Sequence, residues 1–202
     1  MAGRTQTVTA LRRDNRVSAM AGALLLLAAL CAAAWGGPAH ARDDGFVALQ
    51  TELARGGVDI LCAPAPGNSA GFNKAATFQR GTGNGAAIEQ HGGSHVAGIG
   101  QQGNANDATI DQSGSANLAQ LSQTGDAQIA SVTQAGNQNQ AFVNQAGYGN
   151  QASVQQAGNA NLASVLQFGS NNSVQISQAG NGLRTVVTQV GNNNRATVVQ
   201  GH

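Results

Sequence analysis

The side chains whose type and spacing could do chemistry in this chain are amides. Glutamine recurs every eleven residues, without a break, over the last two-thirds of the sequence. An amide donates through its nitrogen and accepts through its oxygen, so identical amides placed one above another hydrogen-bond along a stack. The spacing therefore predicts recognition between repeats. The glutamines of this column are Gln79, Gln90, Gln101, Gln112, Gln123, Gln134, Gln145, Gln156, Gln167, Gln178, Gln189 and Gln200.

Other chemistry finds little support in the sequence. No serine, cysteine or carboxylate pair is matched to a histidine within the repeats as a catalytic site requires. Glu89, His91 and His95 could be imagined as metal ligands, but their positions in a turn and at a strand start favour a solvated face. The glycines of 98–103 match a dinucleotide fingerprint, yet no helix follows them. We predict a protein that is not an enzyme, with no catalytic residues, metal site, cofactor or small-molecule substrate.

The charge balance argues against a nucleic-acid partner. Beyond residue 41 the chain has six basic and eight acidic residues, and the repeats have few charges of either sign. Binding to phosphates needs a basic patch, which the sequence lacks. Low charge and almost no proline suit cross-β assembly, in which the few charges slow premature aggregation.

The fixed spacing indicates a stack of repeats, each in contact with the next. An eleven-residue period also fits a helical rod, but every unit has a glycine, and most have asparagine or a β-branched residue, all unfavourable inside a helix. Within one unit Asn106, Ala108, Ile110 and Gln112 alternate, which is the period of one face of a β-strand. The residues between them are mostly polar, which predicts one buried face and one wet face.

A glycine two residues after each of the first eleven glutamines predicts a tight turn, because glycine adopts positive φ readily. The turn glycines are Gly81, Gly92, Gly103, Gly114, Gly125, Gly136, Gly147, Gly158, Gly169, Gly180 and Gly191. A second predicted ladder consists of Asn106, Asn117, Asn139, Asn150, Asn161, Asn172 and Asn194. His95, Gln128 and Leu183 replace asparagine in this pattern, and Val174 and Thr185 replace alanine, which should weaken individual rungs.

The predicted fold class is all-β: a two-sheet, cross-β solenoid of about six strand-turn-strand rungs of 22 residues each, spanning 73–202. Both ends of such a stack expose unpaired N–H and C=O groups, which monomeric proteins cover or disrupt. The last predicted strand, about 194–200, runs almost to the end of the sequence and leaves nothing to form a cap. The sequence therefore favours head-to-tail addition into a fibre.

The pattern Gln-x-Gly-x-x-Asn-x-Ala-x-x-x-Gln, intact in 101–112, 134–145, 145–156 and 156–167, resembles the curlin repeat. The resemblance covers about 73–202. It implies a structural subunit of curli, the extracellular amyloid fibres of bacterial biofilm matrix, with roles in adhesion. The partners implied are the chain itself as a homopolymer, another curlin subunit, and the outer-membrane curli secretion pore with its accessory factors. It also implies that the stacked glutamines and asparagines drive assembly.

Two segments precede the repeats. Residues 1–41 combine a basic start, an apolar run and a small-residue cleavage site at Ala39-His40-Ala41, which predicts a signal peptide and secretion. In the non-repeat segment 42–72, Asp43 or Asp44 could cap a short helix that ends at Gly56. This segment either addresses the chain to the secretion pore, as in curlins, or caps the first rung. Its single cysteine, Cys62, is expected to be a small buried hydrophobe.

Two other functions stay open at this point. Arg184 and Arg195 occupy equivalent positions in the last rung and suit either ordinary solubility or a minor nucleator subunit that templates the major curlin. A monomeric solenoid could instead bind a ligand through a flat outer face, which would need a regular outward ladder, commonly of threonine. The outward threonines are scattered, which counts against such a binding module.

Overall fold

The computed structural model describes the backbone of residues 47–53, 57–64 and 73–201, and the side chains of 73–201. The predicted signal peptide and the side chain of Cys62 lie outside the described residues. The described part of the chain holds no helix with the length and apolar character that crossing a membrane requires.

Fourteen β-strands account for nearly all of the described chain. The last twelve are separated by two to four residues each. The strands are β1 (Val47–Leu53), β2 (Gly57–Pro64), β3 (Lys74–Gly81), β4 (Asn84–Gly93), β5 (Val96–Gln102), β6 (Asp107–Ser115), β7 (Leu118–Asp126), β8 (Ile129–Asn137), β9 (Gln140–Tyr148), β10 (Gln151–Asn159), β11 (Leu162–Ser170), β12 (Ser173–Asn181), β13 (Arg184–Val190) and β14 (Arg195–Gly201).

The strands from β3 onward form a two-sheet solenoid, which confirms the predicted fold class. Even-numbered strands β4 to β14 lie in one sheet and odd-numbered strands β3 to β13 in the other, and all neighbours among them are parallel. Each residue pairs with the one 22 positions later, as Gln112 does with Gln134. Two strands make one rung, so β3 to β14 form six rungs.

The core between the sheets is thin and repetitive. Each typical strand contributes one alanine and one larger aliphatic residue, such as Ala108 and Ile110, which are both fully buried. Residues between them, such as Thr109, face outward and are exposed. Burying one Val, Leu or Ile contributes about 1.5–3 kcal/mol, so the apolar core alone offsets little more than the cost of ordering the backbone.

The turns have two left-handed positions per unit. The first is the predicted glycine: at Gly147, φ is 126°, and a Cβ atom there would lie 2.0 Å from the carbonyl oxygen of Gly169 in the next rung. The second position, two residues later, is often alanine, as at Ala105 with φ of 54°. The sequence did not indicate this second position, because alanine seldom adopts positive φ. The Ala105 N–H donates to the Thr82 carbonyl at 2.9 Å, which helps to hold the turn.

The expected helix before the repeats is wrong, because 47–53 forms strand β1. This strand pairs antiparallel with β4, and β2 pairs antiparallel with β3. Val47, Leu49 and Leu53 fit a strand as well as a helix, since they also alternate. The edges of β3 and β4 offer N–H and C=O groups that only another strand can pair with in a ladder. These two antiparallel strands lie at the N-terminal end of the stack.

Candidate functional site

The glutamines form two buried ladders, one in each sheet. Each Nε2 donates to the Oε1 of the glutamine 22 residues later, at 2.7–3.0 Å. One ladder joins Gln79, Gln101, Gln123, Gln145, Gln167 and Gln189; the other joins Gln90, Gln112, Gln134, Gln156, Gln178 and Gln200. Every one of these bonds points from the N-terminal towards the C-terminal end of the stack.

The same amides also join the two sheets. Gln156, for example, accepts from Gln134 at 2.8 Å and donates to Gln178 at 2.9 Å within its own sheet. Its Nε2 donates a second bond, 3.0 Å long, to the carbonyl of Gln140 in the other sheet. A buried amide with its donors and acceptor used in this way contributes stability, whereas an unpartnered one would cost it.

The asparagines connect strand starts to turns. Asn117 Oδ1 accepts from the backbone N–H of Asn139 at 2.9 Å. Its Nδ2 donates to the carbonyl of Ser113 in its own turn and to that of Gly136 in the next rung, both at 2.9 Å. Asn139, Asn150, Asn161 and Asn172 also donate to the glycine carbonyl of the next rung. Asparagine therefore ties each turn to the next rung.

His95 fits the asparagine column, although the sequence suggests a weakened rung. The Asn117 N–H donates to its Nδ1 at 3.2 Å, and its Nε2 lies 3.0 Å from the His91 carbonyl. A carbonyl can only accept, so these partners require the neutral ring with its hydrogen on Nε2. Burial lowers the pKa of His95 below its ordinary value of 6.5, and this outweighs the two backbone hydrogen bonds that raise it. His91 is exposed and lies near the end of strand β4, not in a turn as the sequence suggests.

The other departures fit less well. Gln128 keeps donor bonds to the carbonyls of Thr124 and Gly147, at 2.6 and 3.2 Å, but its Oε1 has no hydrogen-bond partner. The Leu183 N–H donates to Asn161 Oδ1 at 2.9 Å, but its own side chain carries no amide that could extend this column. Gln128 directly precedes β8 of the even-numbered sheet and Leu183 directly precedes β13 of the odd-numbered sheet, so each sheet has one weakened position in its asparagine column.

Two polar features were missed by the sequence reasoning. The Thr185 hydroxyl donates to Gln200 Oε1 at 2.7 Å and accepts from Gln178 Nε2 at 3.0 Å, so it crosses the core to join the even-numbered sheet's ladder. Asn137, Asn159 and Asn181, the last residues of β8, β10 and β12, form a short exposed ladder with Nδ2 to Oδ1 distances of 3.0 and 2.9 Å. Three asparagines at the same repeat position, three residues after glutamine, are the signal that could have found it.

The two ends of the stack differ. β13 and β14 are the last strands of their sheets, and within the described residues no strand pairs with their outer edges. There Gln189 is largely buried, while Gln200, Ala196 and Val198 are only partly buried. We call the outer edges of β13 and β14 the C-terminal edge, and those of β3 and β4 the first-rung edge.

Comparison with known protein families finds the same repeat. The family model described as the curlin associated repeat matches residues 81–114, 114–147, 147–180 and 169–201, which together cover more than half of the chain. Comparisons with curated proteins and with solved structures find no match.

Proposed function

Because the chain belongs to the curlin family, a family of structural, non-enzymatic proteins, we propose that it is a subunit of extracellular curli-type amyloid fibres. In this proposal it polymerises by head-to-tail stacking of solenoid ends. The fibres serve surface adhesion and the biofilm matrix. Residues 1–41 act as the signal peptide, and the exported chain meets the outer-membrane secretion pore, its accessory factors and other curlin subunits.

One observation supports stacking above all: the glutamine ladders have a direction, and the ends are complementary. The oxygen of Gln90, a fully buried residue in the first rung, has no hydrogen-bond partner. The last glutamine of the same column, Gln200, has a partly exposed side chain whose Nε2 has a 3.4 Å bond to the Arg184 carbonyl. A second copy in the same register would bring an Nε2 donor of one chain to an Oε1 acceptor of the other.

The repeat length supports the same register. The register that joins β12 to β14 also brings β14 of one copy onto β4 of the next, with Gln200 over Gln90 and Asn194 over Asn84. The glycine column could continue as well. Within the described residues no rung lies beyond Gly191, and a Cβ atom there would meet only Asn194 Nδ2, at 3.4 Å, which leaves room for Gly81 of a second copy. A fibre formed in this way would be cross-β, with strands about 4.8 Å apart.

The proposal is tested with two neighbouring valines of β14. Val198 packs partly against the core, and Val199 faces outward with 75% exposure. Val198→Lys would place an ammonium group where a stacked copy buries it, whereas Val199→Lys would leave it in water. We expect seeded thioflavin-monitored growth of residues 42–202 to be lost in Val198→Lys and retained in Val199→Lys, with a 4.7–4.8 Å reflection from the fibres.

Two results would overturn the fibre role. One is a β-rich wild-type chain that never responds to seeds. The other is equal growth of the two lysine variants, which would exclude the C-terminal edge as a stacking surface. A circular dichroism spectrum of each fresh monomer controls for folding.

The last rung supports the nucleator as a second candidate. It has Leu183 in place of asparagine, two arginines, and the exposed apolar residues Val186 and Val199 on its outer faces. A rung with a distinct surface suits a subunit whose end meets a different partner. A nucleator would shorten the lag of another curlin when present at a low molar ratio, while its own fibres grow slowly.

A further inference from the structure

We propose that β1 and β2 form an exchangeable cap on the first-rung edge, and that the C-terminal edge of a second copy of this chain replaces them. This inference rests on the proposed function and specifies how stacking is regulated. It assigns 47–64 a role in the folded chain, in addition to any role in export. The occupant of the first-rung edge is either the chain's own cap or another chain.

The cap occupies the surface that stacking needs. β1 pairs with β4 over seven residues, from Val47 opposite Gln90 to Leu53 opposite Asn84. β2 pairs with β3 over eight residues, from Gly57 opposite Gly81 to Pro64 opposite Lys74. One strand edge can pair with only one neighbour on that side. A second copy therefore cannot join the first-rung edge until the cap has left it.

The cap is also an imperfect substitute for another rung. Its two strands run antiparallel to β3 and β4, whereas all the other pairs of the solenoid are parallel. Opposite Gln90 it places Val47, which has no side-chain hydrogen-bond donor, and the buried Gln90 Oε1 is left without a partner. In the stacking register a second copy places Gln200 there. The exchange therefore gains a hydrogen bond that the cap cannot make.

As a consequence, the part of the stack that the structure describes has one covered end and one open end. The C-terminal edge of one free chain is ready to pair, but the first-rung edge of the other free chain is still covered by its own cap. Cap release then becomes part of the lag before growth. At a fibre end, docking and cap release occur together.

A disulfide tests the proposal, because the register places the native Cys62 opposite Ala76. Residues opposite each other in an antiparallel pair have Cα atoms about 4.5–5.5 Å apart, which a disulfide spans. Ala76→Cys would then lock β2 onto β3 when oxidised and release it when reduced. The exported chain is used, from which the proposed leader and Cys31 with it have been removed. Ala87→Cys, on the other sheet, is the matched control that adds a thiol away from Cys62.

We expect oxidised Ala76→Cys monomer to elongate wild-type seeds at least about tenfold more slowly than the reduced form, since a covalent bond prevents the exchange. Reductant should restore growth, and the Ala87→Cys monomer should grow equally in oxidant and reductant. Failure of the Ala76→Cys disulfide to form, or equal growth of its two forms, would overturn the cap. If even the reduced and wild-type chains form no seedable fibres, the proposed function fails and the cap proposal fails with it.

A loosened cap gives an independent readout. In an edge strand, neighbouring residues point their N–H groups to opposite sides, so the double variant Ala48→Pro/Leu49→Pro removes at least one ladder donor of β1. We expect a shorter unseeded lag and fibres that cross-seed with wild type. An unchanged or longer lag would contradict an exchangeable cap.

Discussion

At the scale of single residues, the amide ladder is the feature that stabilises this molecule, because its apolar core is so thin. Gln156 has three hydrogen bonds and is buried, whereas its neighbour Gln155 faces solvent. The two residues share a strand and differ only in the face they occupy. Substituting each of them in turn therefore separates the contribution of the hydrogen-bonded ladder to stability from the effect of replacing a glutamine as such.

Gln156→Met should destabilise the monomer markedly, while Gln155→Met should have little effect. Methionine has a similar volume but leaves the Gln134 donor, the Gln178 acceptor and the Gln140 carbonyl without their partner. Each buried group left unpaired costs about 1–3 kcal/mol. Urea unfolding of freshly diluted monomer measures the difference. Equal midpoints for the two variants would mean that the ladder contributes no net stability.

His95 makes the stability of the second rung depend on pH. Its pKa is lowered in the folded chain, so the unfolded chain takes up the proton first as the pH falls. Stability is therefore constant well above pH 6.5, the ordinary value, and decreases as the pH falls below it until the folded-state pKa is reached. Protonated Nδ1 would also face the Asn117 N–H, and two donors cannot bond.

We expect His95→Asn to remove most of this acid sensitivity, because asparagine supplies the same acceptor and donor without titrating. The measurement is the unfolding midpoint between pH 7.5 and 5, compared with wild type. The His91 carbonyl contacts the His95 ring, and His91→Ser controls for an effect of the neighbouring imidazole. An acid-sensitive transition that persists in His95→Asn and vanishes in His91→Ser would assign the effect to His91.

At the scale of the elements, the turn sets the vertical spacing of the rungs. Gly147→Ala should be severe, because φ is 126° and the new Cβ would lie 2.0 Å from the Gly169 carbonyl oxygen. Gly182→Ala should be mild, since φ is 66° and a Cβ there meets nothing within 4 Å. We expect the unfolding free energy to fall by more than about 3 kcal/mol in Gly147→Ala and by about 1–2 kcal/mol in Gly182→Ala. Comparable losses would show that backbone strain, rather than close approach of the rungs, makes the glycine necessary.

The sequence predicted the repeating strands because every unit gives the same information. The alternation of Asn106, Ala108, Ile110 and Gln112 returns in unit after unit, so the period is read many times. Strand β1 was missed because 47–53 occurs once, and its apolar residues fit two periods. Its conformation is decided by the unpaired edge of β4, which is distant in sequence. The exposed ladder of Asn137 was missed because solvent-facing positions leave no hydrophobic pattern.

At the scale of the whole molecule, each end of the odd-numbered sheet carries a positive charge, and stacking would bring these two charges together. Lys74 in β3 and Arg184 in β13 occupy the same column of the odd-numbered sheet. Head-to-tail stacking would bring them to neighbouring strands, about 4.8 Å apart. Like charges directly opposite each other destabilise a strand pair. Arg195 differs, because its column in the even-numbered sheet begins with Gly85.

Seeded growth should therefore accelerate as salt rises from about 10 to 150 mM, where screening shortens the reach of surface charges from about 30 Å to about 8 Å. Arg184→Gln should grow faster than wild type at low salt and lose most of this dependence. Arg195→Gln, the control, should retain it. If wild-type growth slowed with added salt, or if both variants responded to salt in the same way, repulsion between Arg184 of one copy and Lys74 of the next would be contradicted.

The direction of the glutamine ladders also gives the stack an electrical character. All the side-chain amides of a ladder align along the long axis, so their dipoles add instead of cancelling, and neighbours in such a chain polarise one another. The sum increases with every rung, with its positive pole at the C-terminal end. A filament built from these rungs would turn in an applied electric field, and its optical birefringence would report the length of the aligned array.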